Sequence, residues 1–125
     1  MKELVKRLQK WEDGGEAPPL IAQLHLTNMC NLSCDFCPTV ASKQKGEMNL
    51  DNELDKETWK RIIDQGNKLG IKEWHICGGG EPLFDRNLAL EVMEKMKENN
   101  GRGEIITNGT LLDKKAVDKI IEINW

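Results

Sequence analysis

The sequence has no run of about 18 apolar residues, so nothing in it reads as a membrane span. It has no basic patch and no arginine-rich run. Its formal net charge is -3, which argues against nucleic acid as a partner. The opening MKELVKRLQKW lacks the apolar stretch of about 7–15 residues that a secretory signal needs. No internal repeat and no low-complexity tract is present. The expected compartment is therefore the cytoplasm, where thiols stay reduced. Cysteine is scarce, four in 125 residues. In a reducing compartment such cysteines are more often metal-binding or catalytic than bridged, which disfavours a disulfide framework. What remains is an ordinary domain composition, 38% hydrophobic and 31% charged.

Periodicity organises the chain. Leu4, Val5, Leu8 and Trp11 repeat with helical spacing over residues 2–11. EDGGEAPP then breaks the chain. This divides an N-terminal helix and linker, residues 1–17, from a core domain, residues 18–125. LIAQLHL (20–26) has the length of a strand, and Pro38 to Asn52 reads as a polar, unpatterned loop. A helix follows, with Asp55 as N-cap, Trp59, Ile62, Ile63, Gly66 and Leu69 on one face, and Gly70 as C-cap. IKEWHI (71–76) is a second strand. A helix over about 87–99 turns Ala89, Val92, Met93 and Met96 to one side, and Gly101 and Gly103 end it. EIIT (104–107) is a third strand, and a last helix from Asp113 buries Val117, Ile120 and Ile121. Three strand–helix units after a leading helix predict an α/β fold with parallel strands. They make up the first half of a barrel-like domain, truncated, with an open sheet edge.

The chemistry-bearing motifs all fall at the C-terminal ends of these strands, where parallel α/β folds bind ligands. HLTNMCNLSCDFCP spaces Cys30, Cys34 and Cys37 as C-x3-C-x2-C. A closed zinc site wants four protein ligands and a disulfide wants two. Three thiolates on an iron–sulfur cube leave one iron open to a small molecule. A zinc site completed by His25 or Cys77 is the alternative, and Cys77 more simply fills a small space at its strand end. GGGEP (78–82) lets a ligand approach the backbone closely, or else makes a tight turn. Its Glu81 meets an ammonium group or caps that turn. TNGT (107–110) is likewise a pocket wall or a plain turn. His25 reads as an inward polar residue near the site, His75 as structural or surface, and Met29 as packing. Trp11, Trp59 and Trp74 read as core or helix-packing residues, and Trp125 as a residue at a cut end.

CNLSCDFC resembles the signature of the radical S-adenosylmethionine (SAM) enzymes, including the aromatic Phe36 before the last cysteine. GGGEP and ITNGT resemble that family's second- and third-strand motifs, in the same order, so the likeness covers residues 18–125. CNLSCDFCP with the KGEM segment and IITNGT is most similar to the branch carrying a C-terminal SPASM or twitch extension. The resemblance implies a partial (βα)6 TIM-like barrel of which three units are present. It implies that Cys30, Cys34 and Cys37 hold a [4Fe–4S] cluster and that SAM chelates the open iron. Gly78, Gly79 and Gly80, with Glu81, would hold the SAM amino group. Phe36 would lie against the adenine, and Asn108 would line the same pocket. The cluster would cleave SAM to a 5′-deoxyadenosyl radical that takes hydrogen from a substrate, a peptide or a small molecule. A flavodoxin- or ferredoxin-type donor would supply the electron. The other readings are an electron-transfer or redox-sensing iron–sulfur protein that ignores SAM, and a zinc-binding interaction module. The later motifs of the family, and any region for auxiliary clusters, are not in this sequence.

Overall fold

The computed structural model describes residues 2–47, 52–98 and 100–125. Met48 of the KGEM segment and Asn99 at the expected end of the third helix lie outside the described residues.

The elements run α1 (Lys2–Glu12), β1 (Ile21–Leu24), α2 (Pro38–Gln44), α3 (Lys56–Leu69), β2 (Glu73–Ile76), α4 (Arg86–Lys97), β3 (Arg102–Ile105) and α5 (Lys114–Glu122). A 3₁₀ turn, Pro82–Asp85, leads into α4. The three strands form one parallel sheet in the order β1-β2-β3, with Gln23 opposite His75 and His75 opposite Glu104.

Local chemistry explains the helix ends. The Asp55 carboxylate accepts the Thr58 amide at 2.7 Å, Asp85 accepts Leu88 at 3.0 Å, and Asp113 accepts Ala116 at 2.8 Å. Gly70 closes α3 at φ 86°, a left-handed conformation that glycine adopts without a Cβ penalty. Helix α3 buries Trp59, Ile63 and Gly66, and α4 buries Ala89, Val92, Met93 and Met96. These meet Leu24, Trp74 and Ile76 from the sheet. Burying Val92, Met93 and Met96 contributes about 1.5–3 kcal/mol each. Gly66 makes room for the Trp74 ring, since a Cβ there would overlap the indole.

The opposite face of the sheet differs. It carries Ile21, Gln23, Glu73, His75, Arg102 and Glu104, none of them buried. His75 Nδ1 lies 3.2 Å from Glu104 Oε1 across this face.

Several expectations need correction. Residues Pro38–Gln44 form a helix, not a loop, with Pro38 in its first turn and no buried residue to mark it in the sequence. Strand β3 lies two residues earlier than expected, because Arg102 N–H bonds to Lys72 O (2.9 Å) and sets the register. Gly103 therefore sits inside the strand rather than ending a helix, and the Trp125 ring takes the space a Cβ there would need. Trp11 is 70% exposed and α1 buries nothing, so Trp11 is no core residue. In α5 the small Ala116 is the buried contact, while Val117 is exposed and Ile121 is 71% exposed. Leu69 is exposed as well.

Candidate cofactor site

Three loops, each leaving the C-terminal end of a strand, meet at one open cavity of about 670 Å³. Its lining includes Cys30, Cys34, Phe36 and Cys37 from the first loop, Gly78, Gly79, Gly80 and Glu81 from the second, and Asn108 from the third. Every site residue expected from the sequence thus faces the same space. His25 lines it too, although its side chain is exposed rather than inward. Cys77 is buried beneath it and takes no part in the lining. A larger groove of about 770 Å³ between α4 and α5 is walled by surface charges such as Glu94 and Lys119, away from the strand ends.

The glycines are there for the protein before any ligand. A Cβ on Gly80 would overlap the Met29 carbonyl oxygen, one on Gly79 would press on the Thr27 carbonyl, and one on Gly78 would overlap the His25 ring. Gly78 and Gly79 also hold φ values of 71° and 63°. The close approach these glycines permit is to the cysteine loop itself. Two amides cross that gap: Gly80 N–H donates to Thr27 O (2.7 Å) and Glu81 N–H to Met29 O (2.8 Å). Thr39 Oγ1 donates to Gly79 O at 2.6 Å, tying α2 to the glycine loop.

Glu81 is 2% exposed and bonds on every side. Oε1 accepts Leu83 N–H (3.0 Å) and the Thr107 hydroxyl (2.6 Å), and Oε2 accepts Asn108 N–H (2.8 Å). Its carboxylate therefore caps the 3₁₀ turn and fastens the third loop to the second. It also places a buried carboxyl group in the cavity wall.

The thiols are free and partly exposed. Cys37 stands just before α2, and the amide of Val40 in the open first turn holds its pKa below the usual thiol value. Hydrogen bonds from Thr39 and the nearby Lys43 charge act in the same direction. Cys30 Sγ receives Leu32 N–H at 3.4 Å and lies 4.0 Å from Asn108 Nδ2. Among the described residues, no three His, Cys, Asp or Glu side chains converge to hold a single ion. Three free thiols stand on one rim of the cavity, and a cluster takes separate thiolates on separate irons.

Sequence reasoning passed over residues that build the site without lining its centre. Glu53 Oε1 accepts both the Thr27 hydroxyl (2.7 Å) and Asn28 N–H (2.7 Å), bracing the root of the cysteine loop. Thr39 and Asn31 were equally unmarked, and Thr107 stood in a marked motif without a role of its own. Nothing in spacing or periodicity distinguishes them, because their partners lie 40, 79 and 26 residues away.

A family profile described as "Radical SAM superfamily" matches residues 24–125. The chain is 30% identical over 105 residues to a PqqA peptide cyclase from Granulibacter bethesdensis, covering 84% of this chain and 26% of that protein. It is 32% identical over 106 residues to a probable GTP 3′,8-cyclase from Methanothermobacter marburgensis, covering 84% of this chain and 32% of that one. It is 32% identical over 99 residues to an Fe-coproporphyrin III synthase from Methanosarcina barkeri, covering 79% and 23%. The chain thus spans between a fifth and a third of the length of these curated relatives. No solved structure gives a significant match.

Proposed function

The chain belongs to the Radical SAM superfamily, and from that premise we propose that it is the cofactor-binding part of an enzyme that cleaves SAM reductively. Enzymes of this family use a [4Fe–4S] cluster and SAM. The observation that carries the reading is convergence: three thiols, a glycine loop, an aromatic ring and an asparagine come from three strand ends to one cavity.

In this reading Cys30, Cys34 and Cys37 ligate three irons and leave the fourth to the amino and carboxylate groups of the SAM methionine. The backbone of Gly78, Gly79 and Gly80 lies beside that ammonium, and the Glu81 carboxylate favours its positive charge. Phe36, 90% exposed, offers an open aromatic face to the adenine. Asn108 closes the far side. When bound, cluster and SAM supply one-electron cleavage of the sulfonium, yielding methionine and a 5′-deoxyadenosyl radical that takes a substrate hydrogen. The protein's own task is to hold these groups in register and keep one iron for SAM. A low-potential flavodoxin or ferredoxin provides the electron.

We place the activity in the cytoplasm, on a peptide substrate, in a chain whose remainder includes a SPASM extension. The relative named as a peptide cyclase supports the peptide; the one named as a GTP cyclase makes a small molecule the alternative. Residues 1–17 form a helix and linker, and 18–125 the first three units of a (βα)6 barrel.

The test is electron paramagnetic resonance of the anaerobically reconstituted, reduced chain, with and without SAM. A [4Fe–4S] signal that changes on adding SAM is the expected outcome. A cluster indifferent to SAM means either that SAM needs more of the fold than these residues supply or that the electron-transfer reading holds, which the same spectrum on a longer chain separates; bound zinc without a cluster defeats the reading.

A further inference from the structure

We propose that Asn108 sets the reduction potential of the cluster by directing an N–H at the Cys30 sulfur, an inference that rests on the reading of Cys30 as a cluster ligand. Asn108 reaches from the third-strand loop to the first cysteine, 78 residues away in sequence. Its backbone is fixed first: the Asn108 amide is held by Glu81 Oε2 at 2.8 Å, and Thr107 Oγ1 by Glu81 Oε1 at 2.6 Å.

Its side chain is fixed next. Asn31, Asn108 and Thr110 close a ring of hydrogen bonds. Asn31 Nδ2 donates to Thr110 Oγ1 (2.8 Å), that hydroxyl donates to Asn108 Oδ1 (2.7 Å), and Asn108 Nδ2 donates to Asn31 Oδ1 (3.1 Å). The Thr110 backbone N–H also points at Asn108 Oδ1, at 2.9 Å. A backbone N–H can only donate, so the oxygen of the Asn108 amide must face Thr110 and the NH₂ must face the cysteine loop. That NH₂ carries two hydrogens. Asn31 takes one, and the other is left toward Cys30 Sγ, 4.0 Å from the nitrogen. The Leu32 amide adds a second donor to the same sulfur at 3.4 Å.

Hydrogen bonds to ligand sulfurs are among the levers that set cluster potentials. They favour the more negative, reduced state, so each N–H donor raises the potential. Asn108 is a positioning and tuning residue here. It joins two loops and adjusts the electron affinity of the cluster between them.

The experiment is a redox titration of the anaerobically reconstituted chain without SAM, following the signal of the reduced cluster. Asn108→Asp keeps the oxygen that Thr110 needs and replaces the donor with a carboxylate oxygen. Its potential is expected to shift negative of the unsubstituted chain, and Asn108→Ala to shift the same way by less. The potential is read from whatever fraction assembles, so partial loss of cluster does not obscure it. A merely structural role lowers cluster content and thermal stability and leaves the potential unmoved. Unchanged potentials in the assembled variants overturn the proposal. So does failure of both variants to assemble when the unsubstituted chain does, because Asn108 is then structural. An unsubstituted chain that takes up no cluster overturns the functional reading itself, and this inference with it.

Discussion

Gly80 shows how tightly single residues are constrained at the site. Its missing side chain lets the Met29 carbonyl sit where a Cβ would be, and the opposing atom is backbone, which cannot rotate away. Gly80→Ala is therefore expected to destabilise the chain by at least about 3 kcal/mol. Gly109→Ala has open space around it and meets only the strain of φ 77°, about 1–2 kcal/mol. Thermal unfolding of the two variants checks this, and equal midpoints would contradict it. At this scale the sequence was informative about which residues matter and less so about why. The cysteines, the glycine loop and Asn108 all fall on one cavity. The glycines, however, were expected to admit a ligand or to make a tight turn, and the structure uses them first to seat one loop on another. Glu81 was read as an ammonium partner or a cap. It is a cap, and it is also a fastening for Thr107 and Asn108, which only the folded chain brings near.

Among the elements, α4 was legible from its buried face and α2, which has none, was not. The face Ala89, Val92, Met93 and Met96 of α4 was evident from spacing because the core demands it. Helix α2 buries nothing, so no periodicity betrays it, and only Pro38 behind an extended Cys37 could have. Helix α1 was legible from its periodicity although it buries nothing, and only the reading of Trp11 as a packing residue fails, since Leu4, Val5, Leu8 and Trp11 stay exposed. Among the described residues, the side-chain hydrogen bonds that tie α1 to the rest of the chain all come from Arg7. Arg7 Nη1 donates to Pro18 O (2.7 Å) and Pro19 O (3.0 Å), and Nη2 donates to Gly70 O (2.8 Å) at the end of α3. An isolated helix of 11 residues is marginal in water. Arg7→Ala removes bonds of about 1.5–3 kcal/mol each. Residues 2–12 are then expected to exchange their amide hydrogens at nearly unstructured rates, while α3 and α4 keep their protection. Unaltered protection of α1 would show that another contact holds it.

For the molecule as a whole, the sheet is covered by helices on one face and carries polar groups on the other. Among the described residues, β1 and β3 each pair along one edge only. Unpaired strand edges beside exposed Ile21 and Ile106 invite pairing between chains. Sedimentation of the isolated chain is expected to show association that grows with concentration, and a monomer at every concentration would contradict this. Three parallel strands were legible because helical and strand periods alternate along the sequence. The exact start of β3 was not, because a backbone bond to Lys72 decides it rather than any side-chain pattern.

The three-loop junction also has a consequence in time. Asn108 follows Cys37 by 71 residues. At about 5–20 residues per second, the ribosome makes it roughly 4–14 s later. Throughout that interval the three thiols exist without Glu81's grip on the third loop or the amide that faces Cys30. The site is therefore the last thing this stretch of chain completes: its first wall waits for its third.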